Sequence, residues 1–557
     1  MAQNEIERLP ELEDFSPEER TPAVQLLLGI CHRQQREIIE LREEVRVQAQ
    51  QIQVLREQNA HQAEQIQRLK DEIAILKGEK GRPNIKPSEL NKDGRGDAGG
   101  AGQKNRGKPS CKKTHKLKIH HRRVIKPRDI PVGSKFKGYE KYVVQDVEIQ
   151  LSNTLYLRAR YKTPDGKTVI GELPAEVTGS HFGPTLRSYI ISQYYQQHVP
   201  QHLILKQVLE FGIQISAGEL NRIIIEEKDL FHAEKDEVLR AGLEVSSYIQ
   251  VDDTGARHQG KNGYCTHIGN ELFAWFSSTE RKSRINFLEL LRADGTTYVI
   301  DDLAREHMQQ QRMPKSQRRL FAQDQIFQDK AAWRFYLHTL GINERCSRIA
   351  TEAALIAAVI KQGIFTELII MSDDAGQFHI TGFLNALCWI HAERTIHKII
   401  PYTDDNRQAQ EQVRDQIWRL YQDLKAYKAA PTNEMKRALR RRFDEIFSQK
   451  TCFQTLNLAL QRIYANKKEL LLVLERPEVP LHNNLSENHI RDYVKKRKIS
   501  ATTRSDIGRR ARDTMLSLKK TCQKLGISFW RYLLDRISGA NSIPPLPDLI
   551  RAAAQSP

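Results

Sequence analysis

Apolar positions follow three rhythms along this chain. In the first, Ile38, Leu41, Val45, Gln48, Ile52, Leu55, Asn59, Gln62, Ile66, Leu69, Ile73 and Leu76 recur at alternating spacings of three and four, without Pro or Gly. The a positions are β-branched apart from Asn59, and the d positions are Leu or Gln. Such a seam favours two parallel helices, with the buried Asn setting register. Residues 1–78 are therefore expected to form a coiled-coil dimerisation segment.

The second rhythm is β-like. From about Val132 to Leu173, YVVQDVEIQL and TLYLRARYKT alternate, with PDGK as a hairpin turn, so 131–180 reads as a small β module. From Pro184 to about Leu239 the period is helical. Within it, LKQVLEFGIQISAGELNRIIIEE gives a helix, a glycine-containing turn and a second helix opened by Ser216. Residues 181–240 are thus a helical segment and a candidate DNA-reading helix-turn-helix, although helical hairpins are common without that role.

The third rhythm is the apolar run that ends in acid. SYIQVDDTGARH closes on Asp252 and Asp253, and KNGYCTHIGNELFAWFSST follows as two antiparallel strands joined around Gly269 and Asn270. A strand ending in Asp and feeding a hairpin is how a ribonuclease-H-like core begins. TELIIMSDDAGQF closes on Asp373 and Asp374, ahead of the mostly helical ALCWIHAERTIHKII. TTYVIDD closes on Asp301 and Asp302 but runs straight into helix-forming LAREHM. A helical stretch at about 303–363 then reads as an insertion. Far downstream, HNNLSENHIRDYVKKRKIS carries Glu487 on a helix, with Arg491 one turn later.

Composition sharpens this picture. At 557 residues, more than one domain is expected. The net charge of +18 and pI near 9.4 favour a polyanionic partner, nucleic acid foremost. Residues 79–130 are rich in Gly, Pro, Lys and Arg and poor in large apolar side chains, hence a flexible basic arm. Seven scattered cysteines without a CxxC pair argue against a disulfide framework, and the acidic start has no signal-peptide core. With no apolar run able to span a bilayer, a cytoplasmic protein without membrane contact is expected.

Paired carboxylates on neighbouring strand ends, with a third from a facing helix, suit hard divalent cations. Two such ions about 4 Å apart can align an in-line phosphodiester displacement. Each acidic site alone is weak evidence.

Several motifs together change that. NNLSENHIRDYVKKRKI followed by Gly508, Thr521, Gly526 and the Tyr532–Leu533 pair, LCWIHAER after the second aspartate, and VDDTG at the first resemble the insertion-sequence 66 family of bacterial DDE transposases. The likeness runs from about Ile130 to Leu534, and the coiled coil resembles the family's N-terminal zipper. It implies an α/β RNase-H-like catalytic core with a helical insertion, preceded by the coiled coil and a small β plus helical DNA-binding region. It implies cleavage of element ends and joining to target DNA, with Mg²⁺ or Mn²⁺ as cofactor. The partners it implies are DNA, further copies of the chain and accessory proteins of the same element, at the bacterial nucleoid. Carried over by position, Asp252, Asp373 and Glu487 are the catalytic metal ligands, with Asp253, Asp374 and Asp301 or Asp302 as competitors.

The catalytic domain is expected at 241–527 and a C-terminal tail at 528–557. Arg394, Lys398, Arg491, Lys495, Lys496, Arg497 and Lys498 are candidate phosphate contacts, alternatively a solvated basic face. Cys388 and His391 have a CxxH spacing without a second pair nearby, which favours a structural role near the site over zinc. Two departures stand out. Cys111 with His115, His120 and His121 makes no convincing four-ligand zinc motif between arm and body, and Asn488 stands where relatives have Arg.

Overall fold

The computed structural model describes residues 10–17, most of 21–51, 119–125, parts of 134–150 and, apart from 175, 176, 178, 294, 365 and 366, all of 151–555. The chain divides into two compact units, 1–143 and 144–557.

In the first unit a 3₁₀ turn, Leu12–Asp14, precedes helix α1, helical throughout positions 22–41. The Thr21 hydroxyl accepts from the Val24 amide at 3.3 Å and caps it. Leu26, Leu27, Ile30, Ile38, Leu41 and Val45 are all exposed, an apolar face on a single helix. The heptads beyond Gln51, most of the basic arm, Cys111 and His115 lie outside the described residues; His120 and His121 are exposed.

The second unit opens with a hairpin of β1 (Arg160–Lys162) and β2 (Thr168–Ile170). Its turn is the expected PDGK: the Gly166 amide donates to the Thr163 carbonyl at 2.9 Å, and Gly166 takes φ +82°, which glycine adopts freely. Among the described residues of 131–180 these are the only strands, fewer than the alternation predicts. Val144, Val147, Ile149, Leu155 and Leu157 stay exposed, so their alternation has no core to face. Helices α2 (Pro184–Tyr195), α3 (Gln201–Glu210), α4 (Ala217–Ile225) and α5 (Asp229–Val245) follow. The Ser216 hydroxyl caps α4 by accepting from the Glu219 amide at 3.1 Å, as the sequence suggests.

The centre is a five-stranded mixed sheet of order β5-β4-β3-β8-β9, built from β3 (Tyr248–Gly255), β4 (Tyr264–Gly269), β5 (Ala274–Thr279), β8 (Ile369–Ser372) and β9 (Leu384–Leu387). β3, β4 and β5 are antiparallel neighbours, whereas β8 runs parallel to β3 and β9 parallel to β8. Only glycine fits at the β4–β5 corner, because a Cβ on Gly269 would meet the Phe273 carbonyl oxygen at 2.4 Å.

Between β5 and β8 lie α6 (Arg284–Leu291), β6 (Tyr298–Ile300), α7 (Asp302–Gln310), α8 (Lys315–Arg318), β7 (Gln325–Phe327), α9 (Lys330–Thr339) and α10 (Glu344–Lys361), with β6 and β7 paired as a separate ribbon. The helical stretch expected at about 303–363 falls within this segment, which also carries two strands. It is not an appendage, since Ala353, Leu355 and Val359 of α10 lie in the same core as Ile249 and Val251 of β3.

After β9 comes α11 (Trp389–His397), then a helical body that the periodicity did not reveal: α12 (Asp404–Ala429), α13 (Asn433–Ser448), α14 (Gln454–Ala465) and α15 (Lys467–Leu470). It has its own core of Ile417, Leu424, Phe443, Phe447 and Leu460 packed against Trp389.

Helix α16 (Asn484–Ser500) returns across β3 and β4, and α17 (Asp506–Lys524) runs along β5. Asp513, Ser517 and Thr521, one turn apart on α17, accept from the amides of Ser278, Phe276 and Ala274 at 2.7, 2.9 and 3.2 Å. The outer edge of β5 is thus satisfied by side chains, and no further strand can add there. Helices α18 (Phe529–Ser538) and α19 (Leu546–Gln555) complete the main core, so 528–555 is a packed part of the body and not a tail. No helix among the described residues is long and apolar enough to cross a membrane.

Candidate active site

Side-chain parity on two parallel strands puts Asp252 and Asp373 on one side of the sheet. Ile249 and Val251 of β3 enter the main core, and Gln250 points to the other face, where α16 lies. Asp252 shares that face with Gln250, and Asp253 falls with Val251. On β8, Ile370 enters the main core while Ile369 and Met371 face the other way, so Asp373 shares the α16 side. Tyr248 stands opposite Ile369 and Gln250 opposite Met371. Two residues further, this register sets Asp252 level with Asp373 on strands ~4.8 Å apart.

Three polar anchors fix α16 over them. The Asn483 side chain donates to the Val251 carbonyl at 2.8 Å, Gln250 Oε1 accepts from the Ser486 amide at 3.4 Å, and His267 Nδ1 lies 2.6 Å from Ser486 Oγ. All four side chains are buried. Glu487, in the first turn, is thereby held beside the strand ends.

The electrostatics reflect this crowding. Burial, then the charge of Asp373, with smaller contributions from Asp253 and Glu487, pushes the Asp252 carboxyl up to about 7. Three carboxylates converge there with too little positive charge to balance them.

The neighbours of the two acids have other partners. Asp253 is paired with Lys282 at 2.8 Å and accepts from Gln377 at 2.8 Å. Asp374 sits at φ +74°, where the chain leaves β8, and accepts from Asn466 at 3.4 Å. Asp301 caps α7 by accepting from the Ala304 amide at 2.9 Å, and Asp302, the first residue of α7, pairs with Arg305 at 2.7 Å on the same helix.

The basic candidates divide sharply. Arg491, Lys495 and Lys498 are exposed and recur at i, i+4 and i+7 along α16, continuing the row that starts at Glu487. Arg491 pairs with Glu487 at 3.2 Å, and half-buried Arg497 reaches Thr254 at 3.5 Å. Lys496 must be corrected: it is buried, donates to the Tyr194 carbonyl at 2.6 Å and stacks on that ring, so it faces the protein and not a phosphate. On α11, Arg394 lies 3.2 Å from His391 Nε2, and Lys398 is exposed.

Cys388 and His391 gain a neighbour that spacing could not reveal. The Cys388 sulfur, a His391 ring nitrogen and a Glu487 carboxylate oxygen all lie within 4.8 Å of one another. A cavity of about 220 Å³ opens beside them, bounded by Asp373, Asp374, Thr395, Arg462 and Asn466. Lys282, Gln377, Arg462 and Asn466 were not foreseen. Only Lys282 had a sequence signal, a basic cluster directly after β5.

The model of the "Transposase IS66 family" matches residues 179–332 and 344–511, more than half of the chain. The chain belongs to that family. Its matched segments contain β3, β8, α11 and α16, and so every residue of the site above. A relative in Sinorhizobium fredii (strain NBRC 101917 / NGR234), "Uncharacterized protein y4jO", is 43% identical over 323 residues, 57% of this chain and 100% of that protein. Membership in the IS66 family gives the chain a DNA-processing transposase role.

Proposed function

We propose that this IS66-family transposase cleaves the ends of its DNA element and joins them to target DNA on an RNase-H-like core, with Asp252, Asp373 and Glu487 as ligands for Mg²⁺ or Mn²⁺. The observation that carries the reading is the charge of Asp373 and Glu487 acting on half-buried Asp252, two residues beyond the Gln250–Met371 pairing of parallel β3 and β8, with Glu487 on α16. The strand order β5-β4-β3-β8-β9, antiparallel on one side of β3 and parallel on the other, supports the core assignment. The carboxyl of Asp252, raised first by burial and then by the charge of Asp373, supports the ligand set, since a divalent cation would offset both.

Bound there, divalent ions supply Lewis acidity to the attacking and leaving oxygens of the phosphodiester. The protein's own part is positioning. Asp252, within β3, and Asp373, directly after β8, follow the paired stretch Tyr248–Gln250 and Ile369–Met371, and Glu487 is fixed by the Asn483 and Ser486 anchors. Lys282 neutralises Asp253 and keeps it out of the ligand set. The row Arg491, Lys495 and Lys498 lies where a DNA backbone leaving the site would run, with Arg394, Lys398 and Arg497 beside it. Helices α3 and α4 are the candidate reading pair, and the exposed face of α1 leads into the heptads that would join two copies, so that two DNA ends can be held together.

The test is nicking of a DNA duplex carrying the element's ends, in Mg²⁺, by the wild type and by Asp252→Ala, Asp373→Ala and Glu487→Ala. Each variant is expected to lose cleavage while still binding the duplex. Cleavage retained by any of them removes that residue from the ligand set.

A further inference from the structure

Glu487 has two groups of neighbours with different chemistry. On one side are Asp252 and Asp373, hard oxygen donors. On the other are a thiol and an imidazole, Cys388 and His391, donors that prefer softer transition ions. We propose that Cys388, His391 and Glu487 form a separate site for a soft divalent transition ion of the Zn²⁺ class, and that filling it withdraws Glu487 from the two aspartates.

Two polar atoms in this cluster are buried without a hydrogen-bond partner: His391 Nδ1 and Glu487 Oε1, which face each other at 3.8 Å. At that distance they make no hydrogen bond, and orphaned buried polar atoms are costly unless something else completes them. Cys388 supplies the third donor. Its sulfur accepts from the Asn483 amide at 3.3 Å at the N-terminus of α11, and burial pushes the thiol up, so in the absence of an ion it stays protonated. Tetrahedral Zn²⁺ sites hold S, N and O ligands at ~2.0–2.3 Å, hence ligand atoms ~3.3–3.8 Å apart. The present separations, all within 4.8 Å, need only a small contraction. A fourth position opens toward the cavity lined by Asp373 and Thr395, so water or a phosphate oxygen can enter.

The surrounding bonds accommodate the change. Glu487 keeps Oε2 on Arg491 at 3.2 Å and offers Oε1 to the ion. Arg394 donates to His391 Nε2 at 3.2 Å, which in a neutral ring leaves the hydrogen on Nδ1. Binding through Nδ1 moves that hydrogen to Nε2, so Arg394 must release the ring. The Cys388 thiol gives its proton to solvent as the ion binds. Ion binding itself stands apart from the reading of Asp252 and Asp373; only its effect on cleavage rests on that reading.

The test uses Co²⁺ as a spectroscopic stand-in on the full-length chain. One Co²⁺ per chain is expected, with a thiolate-to-cobalt charge-transfer band. Cys388→Ser should abolish the band, and His391→Gln, a more exposed position that spares the fold, should weaken Co²⁺ binding by more than ~10-fold. Cys111→Ser, in the basic arm, and Asp252→Ala should leave the band intact. A band that survives Cys388→Ser, a band lost in Cys111→Ser, or the absence of any thiolate band in the wild type would overturn the proposal. In the cleavage assay, Zn²⁺ should suppress Mg²⁺-driven nicking by the wild type, and His391→Gln should need more than ~10-fold more Zn²⁺ for half suppression of its own rate. Equal sensitivity overturns the withdrawal of Glu487. A wild type that binds Co²⁺ through Cys388 but never nicks DNA refutes the cleavage reading and leaves the ion site standing.

Discussion

Helix α16 carries two carboxylates five residues apart, and their surroundings are opposite. Asp492 is met by the His198 ring nitrogen at 3.2 Å and by two ammonium groups, Lys519 at 2.7 Å and Lys520 at 3.0 Å. Burial alone would raise its carboxyl, but these partners overcome that and hold it well below the usual carboxylate range. Glu487 has one exposed arginine, and its inner oxygen has no hydrogen-bond partner. Facing it, Asp252 is pushed up to about 7 by burial and by Asp373. The middle of the helix therefore stabilises the fold through satisfied charge, while its first turn keeps an unbalanced negative cluster. Such an imbalance is tolerated in native proteins chiefly where a ligand completes it.

The comparison breaks most clearly at Asp252. Asp252→Asn keeps the shape and removes one charge, so nicking should fall by at least ~1,000-fold, on the order of 4 kcal/mol in the barrier. Stability should move the other way. Because the folded carboxyl lies near 7 and an unfolded one near 3.9, the folded state holds the extra proton between those values. The penalty in the wild type is absent below about pH 4, grows through that window and is fully present above about 7. Urea unfolding in a chelator at pH 8 should thus show the variant more stable by ~1–3 kcal/mol, with the gain vanishing toward pH 4. A variant that is less stable at pH 8 would mean that Asp252 is a structural carboxylate like Asp492.

At Asp492 the expected sign is reversed. Asp492→Ala strands Lys519, which is buried, and should cost ~3–5 kcal/mol in the same unfolding assay. Its folded carboxyl is depressed, so the stability it contributes is present above the ordinary carboxylate value and is lost as pH falls further. A loss under ~1 kcal/mol would show that His198, Lys519 and Lys520 do not act on Asp492 as a unit.

Much of this contrast was legible in the sequence. Asp252 and Asp373 stand out because each ends an apolar run, and Glu487 because a helical stretch follows it. Which aspartate of each pair faces the site was not legible. That depends on the parity set by Gln250 and Met371 and on long-range partners such as Lys282 and Asn466, which come from other elements. The α12–α15 body stayed hidden for a related reason: amphipathic periodicity marks a buried face without saying which core receives it. The alternation at 142–157 predicts strands, but the described residues there are mostly exposed and form none. Lys496 was assigned outward because KKRK is uniformly charged, and only the packing of Tyr194 against α16 turns it in.

A smaller effect is expected at Lys282. Lys282→Met leaves Asp253 with Gln377 but no cation, adding a second competing negative charge beside Asp252. As a positioning residue its loss should lower nicking by ~10–100-fold, with duplex binding nearly unchanged. Lys282→Arg should recover most of the rate, which a purely steric role would not allow.

The smallest effects separate the two faces of α16 beyond Glu487. Lys495 and Lys498 are exposed on the row of Arg491, whereas Lys496, between them in sequence, is buried on Tyr194. Burial brings the Lys496 ammonium down to about 7, so near neutrality it is only partly charged and turned from solvent. Measured as the slope of log binding constant against log salt, Lys495→Ala and Lys498→Ala should each reduce the magnitude by ~1, because each removes the cation that neutralises roughly one phosphate. Lys496→Met should leave the slope unchanged and act only on stability. Its pH dependence follows from the depressed ammonium: the unfolded chain binds the extra proton between about 7 and 10.5, so the lysine's penalty is fully present below that window and fades as pH rises through it. Lys496→Met should therefore be most favourable near pH 7 and lose its advantage toward pH 10. A salt slope that drops in Lys496→Met would mean that the helix turns this lysine outward when DNA binds.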